Sequence, residues 1–278
     1  MGLKNILVHL DDSKSSRKRC EAALALAAAH GAHLTGLAAV TAPSLPGYIR
    51  SNLPREAVEA QESYLREVLE NAGAAFEKAA KTWDVPHELR KLRAAESDIG
   101  DAIALHGRHA DIIIMGQEDE EDGATLSREV MEEVLLSAGR PLLVVPYIGA
   151  PKPIGKRVLI AWDGGREAAR ALNDALPLLE GAEAVMLLIA NPKDSPSERE
   201  AGSDIALHLA RHDVPVEVHK IHVSEITIGD ALLDQVADLG ADLVVMGGYG
   251  HSRLRELVLG GVTRQMLQRM TVPVLMSH

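Results

Sequence analysis

The sequence predicts an α/β protein made of two tandem, homologous, doubly wound domains. Two observations indicate this fold: the second half of the chain repeats the first, and each half alternates short apolar runs with longer helical stretches. The apolar runs are continuous, as expected for strands of a parallel sheet that helices cover on both faces. A chain of 278 residues is long for one compact domain and sufficient for two.

The repeat is anchored at the start, the middle and the end of each half. Three pairs of phrases recur in the same order: NILVHLD and RVLIAWD (5–11 and 157–163), ADIIIMG and ADLVVMG (110–116 and 241–247), and RPLLVVP and VPVLMSH (140–146 and 272–278). A segment rich in Pro and Gly separates the copies. We therefore expect one domain at 1–148, a linker at 149–155 and a second domain at 156–278.

The stretches between these anchors have the periodicity of helices and strands. Helices are predicted at 13–30, 55–82, 165–179, 197–212, 229–239 and 264–269. Further strands are predicted at 33–40, 184–190 and 216–222. This order is the β-α-β-α alternation of a doubly wound fold.

Composition and charge narrow the classes of function. The formal net charge is −11 and the pI about 5.5, so nucleic acids and anionic membranes would be repelled over most of the surface. The single cysteine, Cys20, cannot form an intrachain disulfide and is expected in the core. No apolar run approaches the roughly 20 residues that span a bilayer, and the opening residues lack a signal-peptide core. A cytoplasmic protein without nucleic-acid or membrane partners is the expectation.

The residues after one strand of the second half indicate an anion site. In open parallel sheets, ligands bind at the carboxyl ends of strands near the point where strand order reverses. The strand at 241–246 runs into the glycine-rich segment 247–263. Its glycines let the main chain turn sharply and approach a ligand, and the N–H groups at its end open the last helix. The glycines in question are Gly247, Gly250, Gly260 and Gly261.

Charged side chains in and opposite this segment suit a phosphorylated ligand. His251, Arg253 and Arg255 add positive charge, and an arginine can donate to two phosphate oxygens at once. Asp163 ends the first strand of this half and should face the same crevice. There it could bind a ribose hydroxyl or a metal held by phosphates.

These residues resemble the universal stress protein family, whose ATP-binding members carry G-x-x-G, nine residues, and G-S or G-T after a strand ending in Met-Gly. The chain follows this pattern at Met246, Gly247, Gly250, residues 251–259 and Gly260. Asp163 matches the acid after the first strand. Gly261 departs from the pattern, because the family usually has a hydroxyl residue there, and Thr263 is a candidate substitute.

The resemblance covers both halves and implies a tandem member with two five-stranded parallel sheets, adenine nucleotide alpha hydrolase-like and related by a pseudo-twofold axis. It implies ATP, with or without Mg²⁺, as the ligand, adenine near 189–190 and no prosthetic group. The implied binding residues are Ala161, Asp163, Ile189, Met246, Gly247, Gly250, His251, Arg253, Gly260, Gly261, Val262 and Thr263. The family's last strand commonly pairs across a dimer interface, so 142–146 and 273–277 are expected to pair within this chain; further homodimerisation stays open.

The corresponding loop of the first half is acidic. Gly116 is followed by QEDEED (117–122), and Arg128 stands where the later glycine is expected. Five consecutive carboxylates would repel a triphosphate by on the order of several kcal/mol in a partly desolvated crevice. Although Asp11 is retained, we expect no ATP in this half. The acidic run itself is interpreted as a solvated, mobile loop instead of a metal site.

Other chemistry has less support in the sequence. His208 with His212 and His106 with His109 have helical spacing, but no further ligands lie close in sequence to complete a zinc site. Nucleophile-elbow, Walker and His-Glu-x-x-His motifs do not occur. The sequence therefore predicts a stress-response protein whose second half binds ATP and whose altered surface a protein partner recognises. The alternatives are a scaffold with two inactive crevices and a slow ATPase.

Overall fold

The computed structural model describes residues 2–42, 52–122, 125–150, 153–192, 196–249 and 261–278. The strands are β1 (Asn5–Leu10), β2 (His33–Ala42), β3 (His87–Ala95), β4 (Ile112–Gly116), β5 (Leu142–Val145), β6 (Arg157–Ala161), β7 (Ala184–Ala190), β8 (Val216–Ile221), β9 (Leu243–Gly247) and β10 (Val274–Ser277). The helices in these residues are α1 (Ser16–His30), α2 (Arg55–Thr82), α3 (Ile99–Gly107), α4 (Arg128–Ser137), α5 (Arg166–Leu179), α6 (Pro196–Arg211), α7 (Ile228–Asp238) and α8 (Val262–Arg269).

All ten strands form one continuous sheet. Its order is β3-β2-β1-β4-β5-β10-β9-β6-β7-β8, so that each half contributes the same arrangement outward from the middle. Strands within each half pair in parallel. The predicted fold of two doubly wound halves is confirmed, and the mirrored order is that of two units related by a local twofold axis.

The two halves join through an antiparallel pair at the centre of the sheet. Val144 of β5 lies opposite Val274 of β10, and Leu143 lies opposite Leu275. All four side chains are fully buried. The expected pairing of these two strands within one chain is therefore confirmed, and it covers two apolar edges that would otherwise invite other strands.

Helices cover both faces of the sheet, and each apolar layer runs through both halves. One layer contains side chains from α1, α2, α5 and α6, including Phe76 and Leu209. The other contains side chains from α3, α4, α7 and α8, including Ile103 and Met266. Small aliphatic residues fill both layers, as the low aromatic content requires. Within the described residues, no helix is both long and apolar enough to cross a membrane.

The outer edges of the sheet carry charged side chains. β3 has the sequence HELRKLRAA and no fully buried residue, and β8 has VEVHKI with the same character. Charged residues on an exposed edge discourage pairing with strands of other molecules. Apolar strands thus lie at the centre of the sheet, and strands with charged side chains form its two outer edges.

Candidate functional site

The second-half crevice lies where the strand order reverses. β7 and β8 lie on one side of β6, and β9 and β10 lie on the other. The carboxyl ends of β6 and β9 therefore border the place at which open parallel sheets bind their ligands. Ala161 pairs with Met246 at these ends, so the structure brings these two predicted residues side by side.

Gly247 ends β9 against the first turn of α5. A Cβ on Gly247 would lie 2.6 Å from the backbone nitrogen of Ala168 and 2.7 Å from the carbonyl carbon of Glu167. Because no side chain fits there without displacing helix backbone, this glycine lets α5 pack directly on the strand. Helix packing accounts for Gly247, and its contact with phosphate stays a prediction.

Asp163 follows β6 at the mouth of the crevice, where it is exposed. Its Oδ1 accepts a hydrogen bond of 2.8 Å from the backbone N–H of Gly165, which directs the chain into α5. The carboxylate is thereby held beside the ends of β6 and β9 and stays accessible to a ligand from solvent.

Among the described residues, no side chain caps the N-terminus of α8. Gly261 is the N-cap residue, with φ −50° and ψ 151°, and the first turn contains no acidic residue. The first N–H groups of a helix lack intrahelical partners, and the helix dipole favours a negative charge beside them. Gly261 and Val262 are both half-buried, which places these backbone groups near the surface.

Tyr249 and Thr263 hold together the two ends of the loop between β9 and α8. The N–H of Tyr249 donates to Oγ1 of Thr263 at 3.3 Å, and Thr263 is buried. Tyr249 has a φ of 55°, in the left-handed region, so the chain turns sharply there. The contact of Thr263 with phosphate stays a prediction. The remaining loop candidates lie outside the described residues: Gly250, His251, Arg253, Arg255 and Gly260.

The residue predicted to lie near adenine belongs to β7, one strand away from Ala161. Ile189 is half-buried and packs toward α6, since a Cβ on Gly202 would lie 2.9 Å from its Cδ1. Beyond the strand, Oδ1 of Asn191 accepts from the N–H of Val223 at 2.7 Å, and Nδ2 donates to its carbonyl at 3.2 Å. Asn191 thus links the loops after β7 and β8, and the contact of Ile189 with adenine stays a prediction.

The equivalent crevice of the first half, between β1 and β4, is filled by the chain's own side chains. Arg19 of α1 is buried, and its Nη2 lies 2.9 Å from Oδ1 of Asp11. Its Nε donates to the carbonyl of His9 at 2.7 Å. Its Nη1 lies where a Cβ on Gly116 would point. The glycine at the end of β4 therefore leaves room for a guanidinium.

One carboxylate oxygen of Asp11, Oδ1, is engaged by an ion pair and by hydrogen bonds within the chain. Burial acts to raise its pKa, but Arg19, His9 and Ser13 together lower the pKa of this carboxyl below its ordinary value. The hydroxyl of Ser13 donates to Oδ1 at 2.5 Å, and its backbone N–H donates to the same oxygen at 3.1 Å. The two matching acids therefore differ: Asp11 is buried and paired, whereas Asp163 is exposed.

His9 of β1 lies under this cluster as a neutral imidazole. Its Nδ1 is 3.5 Å from Oδ2 of Asp11, and the side chain is buried. Burial lowers the pKa of His9 from 6.5 to about 4 and outweighs the attraction of Asp11, which acts in the opposite direction. His9 occupies the position that the small Ala161 has in the second half, two residues before the acid.

We expect His9 to make the fold less stable as the pH falls from about 6.5 to about 4. Its pKa is lower in the folded chain than in the unfolded chain, so only the unfolded chain binds the proton in this interval. At pH values above the pKa of His9 in the unfolded chain, its stabilising effect is complete and amounts to roughly 3 kcal/mol of the free energy of unfolding. Urea denaturation at pH 7 and pH 4.5 measures the loss.

A His9→Leu variant should lose less stability over this interval, because it has no proton to bind at that position. His109→Asn, which changes an exposed histidine, should keep the wild-type dependence on pH. Equal slopes in wild type and His9→Leu would contradict the assignment.

The acidic loop of the first half is bonded to the start of α4 and to the segment just before α1. Oε2 of Glu118 accepts from the backbone N–H of Arg128, the first residue of α4, at 3.2 Å. Oδ2 of Asp122 accepts from the backbone N–H of Lys14, just before α1, at 2.8 Å. Both carboxylates are half-buried, whereas Glu120 and Glu121 are exposed, so the loop is anchored at two points and solvated between them. At the start of α4, Glu118 takes the place that a phosphate oxygen would need.

Several of these residues could not be identified from the sequence. Arg19 follows Arg17 and Lys18, which are exposed, and nothing in the sequence distinguishes the buried arginine from these two residues. The sequence marked Glu118 and Asp122 as repulsive to phosphate, but their hydrogen bonds to backbone N–H groups depend on the folded loop. Asn191 gave no signal beyond its place at a strand end.

The candidates outside the crevices have ordinary structural places. Cys20 is buried, and burial raises the pKa of its thiol to about 11, which confirms it as a core residue. The rings of His208 and His212 have centroids 4.8 Å apart. In the part of the chain that the structure describes, no group of three His, Cys, Asp or Glu side chains could hold a metal ion.

The fold and the two crevices define a class: a tandem, doubly wound α/β protein with a crevice at each reversal of strand order, of which the first is filled by the chain's own side chains. Residues 2–146 and residues 155–278 each match the Universal stress protein family. The chain therefore belongs to the Universal stress protein family, with two copies of its domain in tandem.

Individual relatives agree with this assignment. Universal stress protein Slr1230 of a Synechocystis species is 30% identical over 149 residues, which cover 52% of this chain and 49% of that protein. The chain thus matches about half the length of this curated relative. A universal stress protein structure from Archaeoglobus fulgidus has a TM-score of 0.74 at 17% identity, covering 98% of this chain and 95% of that chain.

A structure of a putative universal stress protein from Pseudomonas aeruginosa has a TM-score of 0.61 at 16% identity. The likeness covers 99% of this chain and 93% of that chain. At such identities these structures show the fold, and the chemistry of the crevices has to be argued from the residues of this chain.

Proposed function

We propose that the second half of this universal stress protein binds an adenine nucleotide, ATP, and that the chain acts in the cytoplasm as a nucleotide-responsive binding module. One observation carries the proposal: the helix N-termini at equivalent places in the two halves differ. Glu118 caps the start of α4, whereas the start of α8 at Gly261 has no capping side chain in the described residues.

The open N-terminus of α8 suits the phosphates. Its first N–H groups, which have no partner within the helix, and its dipole both favour an anion, and a nucleotide would supply oxygens where the first half supplies a carboxylate. The sequence places His251 and Arg253 in the loop between β9 and α8, where positive charge would attract a triphosphate. Mg²⁺ would enter with the phosphates.

Asp163 supports a nucleoside as the rest of the ligand. It is exposed at the end of β6, beside Ala161, whose small side chain leaves space at the point where strand order reverses. A carboxylate in this place can accept hydrogen bonds from ribose hydroxyls. In the first half His9 and Arg19 fill the corresponding space, which supports a single nucleotide per chain.

Calorimetric titration of the full chain with Mg-ATP tests the proposal, and Gly261 offers the sharpest variant. Its backbone conformation, with φ −50°, accepts any residue. Gly261→Asp would cap α8 with a carboxylate, so it should weaken ATP binding at least about tenfold while leaving the fold as stable as wild type or slightly more stable.

Gly261→Ser is the matched control, since its hydroxyl can cap the helix without adding charge. We expect it to keep the wild-type affinity or to improve it. Wild-type protein should bind one ATP per chain. No measurable heat with wild-type protein, two sites per chain, or undiminished binding by Gly261→Asp would each contradict the proposal. The first of these results would favour the scaffold, and phosphate release that Gly261→Asp abolishes would reveal an ATPase.

A further inference from the structure

Gln117 of the first half reaches across the middle of the sheet to the last helix of the second half. It follows β4 and is buried. Its Nε2 donates to the carbonyl oxygens of Leu267 and Gln268, each at 3.0 Å. Its Oε1 accepts from the backbone N–H of Tyr147 at 3.3 Å. One side-chain amide thus joins the two halves.

The contacts of Gln117 meet a specific need of α8. The last carbonyl groups of a helix have no intrahelical partner, and they carry the negative end of the dipole. Leu267 and Gln268 belong to that last turn. Both hydrogens of the Gln117 amide are used there, and its oxygen is used by Tyr147, so the orientation of the amide is fixed by all three contacts.

The contact in the opposite direction, from the second half to α4 of the first half, is different. Gly248 follows β9 as Gln117 follows β4, and both donate their backbone N–H to the last strand of their own half, to Ser277 at 2.9 Å and Val145 at 2.8 Å. A Cβ on Gly248 would lie 2.6 Å from Cδ2 of Leu135 in α4, so an apolar side chain fills that side. Nη2 of Arg170 in α5 donates to the carbonyl of Gly139, beyond the end of α4, at 3.0 Å. The first half therefore bonds the last carbonyl groups of α8 itself, whereas the second half bonds the chain after α4.

We propose that Gln117 is a positioning residue for the nucleotide site of the second half, an inference that rests on the proposed function. α8 is one helix of 8 residues, so fixing its carboxyl end also fixes the direction of its first N–H groups at Val262 and Thr263. On the side of α7, Arg269 pairs with Asp230. Gln117 supplies a second anchor, from a half whose own crevice is filled.

Two variants test this role in the full chain. Gln117→Met removes the donors at similar volume, and Gln117→Glu places carboxylate oxygens against two carbonyl oxygens. We expect ATP affinity to fall about three- to tenfold in Gln117→Met and at least about tenfold in Gln117→Glu. Amide hydrogen exchange without ATP should become faster in α8 and stay unchanged in α3.

Arg140→Met is the matched control. Nε of Arg140 donates to the carbonyl of Arg108 at the end of α3, so this variant removes a helix cap within the first half alone. It should speed exchange in α3 and leave ATP affinity unchanged. Thermal unfolding of each variant separates a general loss of stability from a local one.

The outcomes distinguish this inference from the proposed function. Normal ATP affinity in both Gln117 variants, with a wild type that binds, would overturn the role of Gln117 and leave the nucleotide site intact. Unchanged exchange in α8 would overturn it as well. A wild-type chain that binds no ATP would remove the proposed function and the positioning role with it.

Discussion

An Arg19→Met variant is expected to lose about 3–5 kcal/mol of the free energy of unfolding at neutral pH. The guanidinium has a side-chain exposure of 2% and lies 2.9 Å from Oδ1 of Asp11. Removing it leaves a buried carboxylate with Ser13 as its remaining hydrogen-bonded partner on that oxygen. A buried charge without its counter-ion costs far more than the packing of a methionine returns. Urea denaturation at pH 7 measures the loss.

Arg17→Met is the matched control from the same helix. Arg17 pairs with Glu21, but its side chain is 84% exposed, so the change should cost less than about 1 kcal/mol. A double variant, Arg19→Met with Asp11→Asn, should recover part of the loss because the uncompensated charge is gone. An Arg19→Met loss no larger than that of Arg17→Met would contradict the view that this pair stabilises the filled crevice.

This pair also explains how the first half keeps its fold with no ligand in its crevice. An empty polar crevice would expose Asp11 and the starts of α1 and α4 to water in a concave space. Arg19 neutralises the acid, and His9 is buried beside it. Glu118 accepts from the first backbone N–H of α4, and Asp122 accepts from that of Lys14 before α1. The first half thereby satisfies these charges and backbone groups with its own side chains.

Most of the fold could be predicted because its strands at the centre are continuous apolar runs and its halves repeat. The helix at 55–82 and the strand at 184–190 were predicted with the bounds that the structure has. β3 was not predicted, because its alternating charges are typical of an exposed edge and hide it from a search for apolar runs. α1 begins at Ser16 and not at 13, since Ser13 turns back to bond Asp11.

The candidate site could be predicted only as far as local sequence determines it. The glycines and Asp163 follow the ends of strands. These ends can be recognised in a single sequence because the two halves repeat each other. Gln117 could not be found, because its partners Leu267 and Gln268 lie 150 and 151 residues away along the chain. The reason for Gly247 was also hidden, since the backbone of α5 that excludes a side chain there comes from a distant segment.

The last prediction concerns Leu275→Lys in β10. This strand and β5 form the antiparallel pair that joins the two halves, here called the seam. Leu275 is fully buried and pairs with Leu143 of β5, at the centre of the ten-stranded sheet. A lysine there loses the burial of a leucine and must hide an amine, so we expect a loss of about 5 kcal/mol of the free energy of unfolding. Wild type should unfold in one calorimetric transition, since both apolar layers run through the seam.

In the Leu275→Lys variant the transition should split in two as the halves separate. The freed edges of β5 and β10 are short and apolar, so the variant should also associate with further copies at increasing concentration, as sedimentation would detect. Val218→Lys, on the outer strand β8 and 37% exposed, is the control and should change little. If Leu275→Lys unfolded in one transition with a loss as small as that of Val218→Lys, the seam would contribute little, and each half would owe its stability to its own strands and helices.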